Sequence, residues 1–241
     1  MTKSSRALCF FCQHREKCIP QGLIPTMEEK SNQRVVENLS EQISLEPNEI
    51  LYSQGDPFRS IYSIRSGCIK TYSVDENGNE LIEGLFYPGE FLSLDCISFK
   101  RYSHFAVAKG STHVCIFNYH QLENLSSTQP KVALHISKAI SSQLSRQLRW
   151  SQIMSKGDLK EKLVAWIFFV SSKLEILSES YEFSIPITHA EIAKMLQMRP
   201  ESLSRAIKKL NEEGNIYFNN KYCEVKNRNQ LFHDLPDSIR I

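Results

Sequence analysis

The chain has 241 residues, 41% hydrophobic and 23% charged, with a formal net charge of +2, an ordinary globular composition sufficient for two small domains or one with an appendage. The overall charge does not by itself announce a nucleic-acid partner. The longest purely apolar run, Leu163 to Val170, is eight residues, far below the roughly 18 needed to span a bilayer, and the N-terminus lacks the apolar stretch of a signal peptide, so no membrane span and a cytoplasmic location with reduced thiols are expected.

In chain order, the first feature is CFFCQHREKCIP, residues 9 to 20, which places Cys9, Cys12 and Cys18 within ten residues of a chain carrying seven cysteines. In a reducing compartment such clustering points to metal binding or redox chemistry more than to disulfides. From Glu46 to about Tyr119 the sequence is cut by turn signals (Glu46-Pro47-Asn48, Gly55-Asp56-Pro57, Ser66-Gly67, Asn77-Gly78, Pro88-Gly89). Between them lie short runs rich in β-branched and aromatic residues, such as IYSI, IKTYSV, LIEGLFY and HVCIFNY. Turns about ten residues apart predict an all-β sandwich, roll or barrel.

After Pro130 the period changes. Val132, Ile136, Ile140, Leu144 and Leu148 recur at steps of four, which predicts a helix with one apolar stripe running to about Ser155. The stripe could pack on the β domain or pair with the same helix of a second subunit. Gly157-Asp158 offers a stop and a new N-cap, and Leu159 to Leu177 reads as a second helix.

Charge is unevenly spread. Lys131, Lys138, Arg146, Arg149 and Lys156 lie in a segment with no acidic residue, and Lys194, Arg199, Arg205, Lys208 and Lys209 outnumber Glu191 and Glu201 between Thr188 and Asn211. Within this second segment Thr188 and Glu191 have the spacing of a capping box opening one short helix, and Pro200 suits the first turn of another that Gly214 ends. Glu201, Ser204, Arg205 and Lys208 share one face of the second helix, opposite Leu203, Ile207 and Leu210. Such a polar face can meet base edges and phosphates in the major groove, or can simply be solvated. Ile216 to Val225 reads as two strands around Asn219-Asn220, a wing beside the helix pair.

A β domain, a long linking helix and a C-terminal winged helix-turn-helix, in that order, resemble the Crp/Fnr family of bacterial transcription regulators. The resemblance runs from about Cys9 to Lys226 and is most specific in IYSIRSGCIKTYSV followed by YPGEF, and in ESLSR. It implies an α+β chain with four parts: a cysteine segment (1–24), a β-roll of the cyclic-nucleotide-binding type (25–130), a dimerisation helix (131–157) and a winged helix-turn-helix (158–241). It further implies a homodimeric activator that works with RNA polymerase at palindromic double-stranded DNA with TTGAT-like half-sites. Glu201, Ser204 and Arg205 would read bases and phosphates, flanked by Arg199 and Lys208, while Ile136, Ile140, Leu144 and Gln147 would line the dimer helix. Pro200 departs from the apolar residue common in the Fnr branch, which affects the outer base preference.

Members that bind cyclic AMP carry an Arg-Ser pair after the P-G-E segment. Here Tyr102-Ser103 stands at that place and Arg101 is one residue early, which on a strand turns the side chain to the other face. By contrast, Cys9, Cys12 and Cys18, spaced C-x2-C-x5-C, resemble the N-terminal cysteines of Fnr-type oxygen sensors, which complete a [4Fe-4S] cluster with a distant cysteine in the roll. STHVCIFNY makes Cys115 the expected fourth ligand and Cys96 the runner-up, with Cys68 and Cys223 structural. The same residues could hold zinc, with His14 or His113 as a substitute ligand. The acidic residue that repels its partner on the Fnr dimer helix is missing here, and Gln147 stands near its place, so a dimer that persists without the cluster is expected. Oxygen or nitric oxide would be the signal and anaerobic metabolism the target. An enzyme is the competing class, but the chain has no Gly-rich phosphate loop and no evident nucleophile–base constellation.

Overall fold

A computed structural model describes residues 5–6, 12, 40–174, 178–219 and 221–236. The chain divides into two compact units, Met1–Gln143 and Leu144–Ile241, and the division falls inside one long helix. Among the described residues no helix is long and apolar enough to cross a membrane.

The first unit contains strands β1 (Ser5–Arg6), β2 (Ser40–Leu45), β3 (Ile50–Tyr52), β4 (Ser60–Ser66), β5 (Ile69–Val74), β6 (Glu80–Phe86), β7 (Phe91–Leu92), β8 (Phe105–Ala108) and β9 (Thr112–Asn118). They form two antiparallel sheets, ordered β1-β2-β9-β4-β7 and β3-β8-β5-β6. The turn chemistry explains the path. Gly67 joins β4 to β5 at φ +86, and a Cβ there would lie 2.5 Å from Thr112 Oγ1, so only glycine fits both the angle and the space. Asp75 Oδ1 accepts from the backbone N–H groups of Asn77 (2.9 Å) and Asn79 (2.8 Å), closing the β5–β6 hairpin.

Strand β9 ends at Asn118, whose side chain accepts from Gln121 N–H and caps helix α1 (Tyr119–Thr128). The alternation of HVCIFNY does not forecast this helix. Helix α2 (Pro130–Met154) follows, with Pro130 as its first residue, where a missing N–H costs nothing. At ~1.5 Å per residue it is about 38 Å long.

Two apolar clusters fill the first unit. One lies inside the roll and includes Tyr52, Tyr62, Ile64, Ile69, Leu92, Cys96, Tyr102 and Val114. The other lies under α1 and the start of α2 and includes Ile61, Phe91, Leu94, Cys115, Phe117, Leu122 and Val132, with Ile136 and Ala139 packed against it.

In the second unit, helix α3 (Leu159–Lys173) is capped by Asp158, which accepts from Glu161 N–H at 2.9 Å. It ends at Lys173, short of Leu177. Strand β10 (Tyr181–Ser184), helices α4 (His189–Met195) and α5 (Pro200–Glu212), strands β11 (Ile216–Asn219) and β12 (Tyr222–Val225) and the short α6 (Arg228–Leu231) complete it. The two-stranded wing expected from the sequence gains a third strand, because β10 pairs with β12 to give the order β10-β12-β11. YEFS is too short to stand out by pattern; its place is made by Phe183, buried opposite Cys223 in the register.

Candidate functional site: a cysteine row, a filled pocket and a DNA reader

Cys115 lies in the middle of β9, opposite Gln42 on one side and Ser63 on the other. Gln42 in turn pairs with Ser5 of β1. One row across the sheet thus reads Ser5, Gln42, Cys115, Ser63, and at ~4.8 Å between strands it sets Ser5 about 10 Å from Cys115. Cys115 is 8% exposed and belongs to the cluster that contains Val132 and touches Ile136 and Ala139. A thiol at this position is therefore packed in the same core as the first turns of the long helix. Cys12 is half-buried, and Cys9 and Cys18 lie outside the described residues.

Cys96 has a different setting. It occupies a short 3₁₀ turn, Asp95–Ile97, after β7, is wholly buried, and belongs to the cluster inside the roll. Its Sγ is 3.5 Å from Asp95 Oδ2 and 3.6 Å from Ser103 Oγ, and burial pushes its thiol up to about 11. Cys68 is buried in the roll and Cys223 in the C-terminal sheet.

Around Tyr102, in the segment that the resemblance sets against the Arg-Ser pair of members that bind cyclic AMP, the roll contains aromatic rings. Tyr102 is buried and stacks on Tyr52, with ring centroids 4.0 Å apart, and Tyr62 also stacks on Tyr52, at 5.4 Å. The Tyr102 hydroxyl accepts from Ser60 N–H at 3.2 Å, donates to the Ser60 carbonyl and lies 3.3 Å from Tyr62 Oη. Burial first, then the neighbouring Cys96 and Asp95, holds the Tyr52 phenol well above its ordinary pKa. Arg101 is exposed and donates to the Gly55 carbonyl at 2.8 Å. This stack has no signal in the sequence, because its members are drawn from β3, β4 and the approach to β8.

The C-terminal unit presents a helix pair. Thr188 and Glu191 form the capping box: Glu191 N–H donates to Thr188 Oγ1 at 3.2 Å and Thr188 N–H to Glu191 Oε2 at 2.9 Å. The turn 196–199 contains no glycine, and Gln197 takes the left-handed conformation at φ 53 that glycine would normally supply. Helix α5 buries Leu203, Ala206, Ile207 and Leu210 and exposes Glu201, Ser204, Arg205 and Lys208, with Arg199 exposed at its N-cap. Ser204 Oγ donates to the Pro200 carbonyl at 3.0 Å, so its outward capacity is as an acceptor. Arg205 Nη2 is 3.4 Å from Ser202 Oγ, and Lys208 is 3.8 Å from Glu212. A Lys160–Glu213 ion pair ties the end of α5 to the start of α3. Asn211 accepts from Phe218 N–H (2.8 Å) and donates to its carbonyl (3.0 Å), locking the helix to the wing.

The apolar stripe on α2 serves two purposes. Val132 is fully buried and Ile136 packs on the core, whereas Ile140, Leu144 and Leu148 are 41%, 59% and 59% exposed. Leu134 is exposed as well, and so is Gln147.

A two-sheet roll followed by a helix-turn-helix with a wing is the architecture of a DNA-binding transcription regulator. Residues 42–129 match the cyclic nucleotide-binding domain family and residues 161–233 match the Crp-like helix-turn-helix domain. The chain belongs to the Crp/Fnr type of regulators, which bind DNA and are not enzymes. It is 28% identical to an anaerobic regulatory protein of Pasteurella multocida over 218 residues, covering 90% of this chain and 78% of that one. It is 26% identical to the fumarate and nitrate reduction regulatory protein of Escherichia coli over 224 residues, covering 92% and 88%. Among solved structures, FixK2 from Bradyrhizobium japonicum superposes with a TM-score of 0.71 at 19% identity, covering 80% of this chain and 96% of that one, a likeness of fold.

Proposed function

We propose that the chain is a homodimeric iron–sulfur regulator of anaerobic metabolism. Cys9, Cys12, Cys18 and Cys115 would hold a [4Fe-4S] group, and palindromic DNA and RNA polymerase would be its partners in the cytoplasm. The observation that carries this reading is the shared core of Cys115, Val132, Ile136 and Ala139. A ligand bond at Cys115 acts directly on the packing of the helix that leads to the DNA reader.

The residues present fit such a group. Four thiolates are the usual ligand set, Cys115 is buried in a strand two places from β1, and Cys9 follows Arg6 by three residues, a span of at most about 11 Å. The names of the relatives, anaerobic regulatory protein and fumarate and nitrate reduction regulatory protein, support the same assignment of target genes. When bound, the group would supply reactivity toward oxygen or nitric oxide. The chain's own part is to hold the N-terminal segment to the β2–β9 face, and so to favour one arrangement of the first turns of α2. The domain limits 1–24, 25–130, 131–157 and 158–241 describe this division of labour. The tyrosine stack at Tyr52, Tyr62 and Tyr102 weighs against a cyclic nucleotide as effector.

Anaerobic purification followed by iron and acid-labile sulfide analysis tests the reading, comparing wild type with Cys12→Ser, Cys115→Ser and Cys96→Ser. Loss of iron and sulfide in the first two variants, with retention in the third, is expected. A full complement in Cys115→Ser together with loss in Cys96→Ser would move the fourth ligand to Cys96. A wild-type protein without iron would end the proposal.

A further inference from the structure

The roll brings a second set of metal-ligating side chains together, away from the cysteine row. Asp95 and Cys96 lie on the 3₁₀ turn after β7, and His104 immediately precedes β8. The loop between them closes on itself, since Lys100 N–H donates to the Cys96 carbonyl and Cys96 N–H to the Ser93 carbonyl. A carboxylate oxygen, a thiol sulfur and an imidazole nitrogen all lie within 4.8 Å of one another as a result.

We propose that Asp95, Cys96 and His104 form a binding site for a divalent transition metal of the zinc type, distinct from the cysteines assigned to the iron–sulfur group. Three observations converge on it. First, the two separations that involve Asp95 lie close to those of a four-coordinate ion. Bonds of ~2.3 Å to sulfur and ~2.0–2.2 Å to nitrogen and oxygen at tetrahedral angles give ligand–ligand edges of about 3.3–3.6 Å. The Asp95 Oδ2 to Cys96 Sγ distance is 3.5 Å, and Oδ2 to His104 Nδ1 is 3.7 Å.

Second, the histidine is oriented from behind. His104 is 5% exposed, and its Nε2 lies 2.8 Å from Tyr52 Oη. With the ring proton on Nε2 donated to that hydroxyl, Nδ1 carries its lone pair toward Asp95 and Cys96, the arrangement that fixes a metal-binding imidazole. Third, an opening and a further oxygen donor exist on the solvent side. Asp95 and Glu83 are 40% and 36% exposed at the side chain, and Glu83 Oε2 is 3.4 Å from His104 Nδ1. Glu83 can complete the set directly or through a water.

A thiolate, an imidazole and one or two carboxylates select zinc or cobalt over magnesium or calcium, which want oxygen alone. Without an ion, the Ser103 hydroxyl donates to Asp95 Oδ2 at 2.7 Å and accepts from His104 Nδ1–H at 2.9 Å, so entry of an ion moves the ring proton to Nε2, toward Tyr52 Oη. Ser103 is exposed, so its hydroxyl can turn out to solvent when an ion enters. Binding releases the Cys96 thiol proton to water.

Cobalt(II) titration of the full chain carrying Cys9→Ser, Cys12→Ser and Cys18→Ser tests the site, because that background cannot assemble the four-cysteine set. One equivalent of cobalt should produce thiolate-to-cobalt charge-transfer absorption, displaced by zinc, that Cys96→Ala abolishes. Tyr52→Phe should weaken cobalt about 10–100-fold, and the exposed Asp95→Asn, which leaves the core intact, should weaken it at least about tenfold. Absorption that survives Cys96→Ala, or an affinity unmoved by Asp95→Asn, would overturn the site. No absorption from folded protein would mean that the cluster is a hydrogen-bond network only. The iron and sulfide content of the wild-type protein is read separately, so either assignment can fail alone.

Discussion

Tyr102 lies flat against Tyr52, with ring centroids 4.0 Å apart and planes inclined by 16°. The pair occupies the interior of the roll, in the segment that the resemblance sets against the Arg-Ser pair of members responsive to cyclic AMP. Truncating it should therefore destabilise the roll instead of creating a function. Tyr102→Ala should cost about 3–5 kcal/mol. Tyr102→Phe should cost about 1–2 kcal/mol, because the Ser60 N–H loses a buried partner while its carbonyl keeps the Ser93 hydroxyl. Calorimetric unfolding measures both. Isothermal titration of the wild type with cyclic AMP should give no binding heat, and micromolar binding would refute this account of the pocket.

The exposed face of α5 predicts two classes of DNA phenotype. Arg205→Ala should weaken binding to a palindromic duplex with TTGAT-like half-sites and relax base discrimination, by about 1–3 kcal/mol per half-site if it forks onto a guanine. Lys208→Ala should weaken all sequences alike and reduce the slope of log K against log salt by about 1 per contacting subunit. Fluorescence anisotropy at several salt concentrations separates them. Equal losses on operator and random duplex for Arg205→Ala would assign it to phosphate alone.

The stripe on α2 should divide functionally where its exposure divides. Leu144→Glu and Leu148→Glu alter side chains that are 59% exposed in the protomer, so they should yield folded monomers with lost operator binding. Val132→Ala, fully buried, should instead lower thermal stability by about 2 kcal/mol with the dimer retained. Analytical ultracentrifugation and melting curves read the two effects. The segment from Lys131 to Lys156 has no acidic residue, so wild-type protein should sediment as a dimer both anaerobically and after exposure to air. A dimer-to-monomer change on exposure would contradict this.

Cys223 gives a pH prediction for the C-terminal unit. Burial raises its thiol from 9.0 to about 12, so the folded state holds the proton more tightly than the unfolded chain. The corresponding stability is fully present below pH 9 and declines as pH rises from 9 toward 12, at no more than ~1.4 kcal/mol per pH unit. Melting temperatures of wild type and Cys223→Ala between pH 8 and 10.5 should converge with rising pH. Parallel curves would show that Cys223 does not carry the alkaline dependence.

The parts legible in the sequence are those that local chemistry decides. Asp158 and Thr188 at their helix starts and Pro130 and Pro200 in first turns each act within a few residues. The strands, the long helix and the reader helix accordingly fall close to where pattern places them. The four-residue turn between α4 and α5 closes without a glycine because Gln197 takes a left-handed backbone.

Residues that act across the sheets required the tertiary structure. The sequence puts Cys115 ahead of Cys96, nineteen residues earlier, on its local context alone. Strand register assigns Cys115 to a row shared with Ser5 and to a core shared with α2, and Cys96 to a turn beside Asp95 and His104. The same holds for the third strand, β10, for Tyr52 against Tyr102, and for the point along α2 where the stripe leaves the core. Periodicity states which face a side chain takes, but what that face meets depends on pairing between segments distant in the chain, and only the folded sheets determine it.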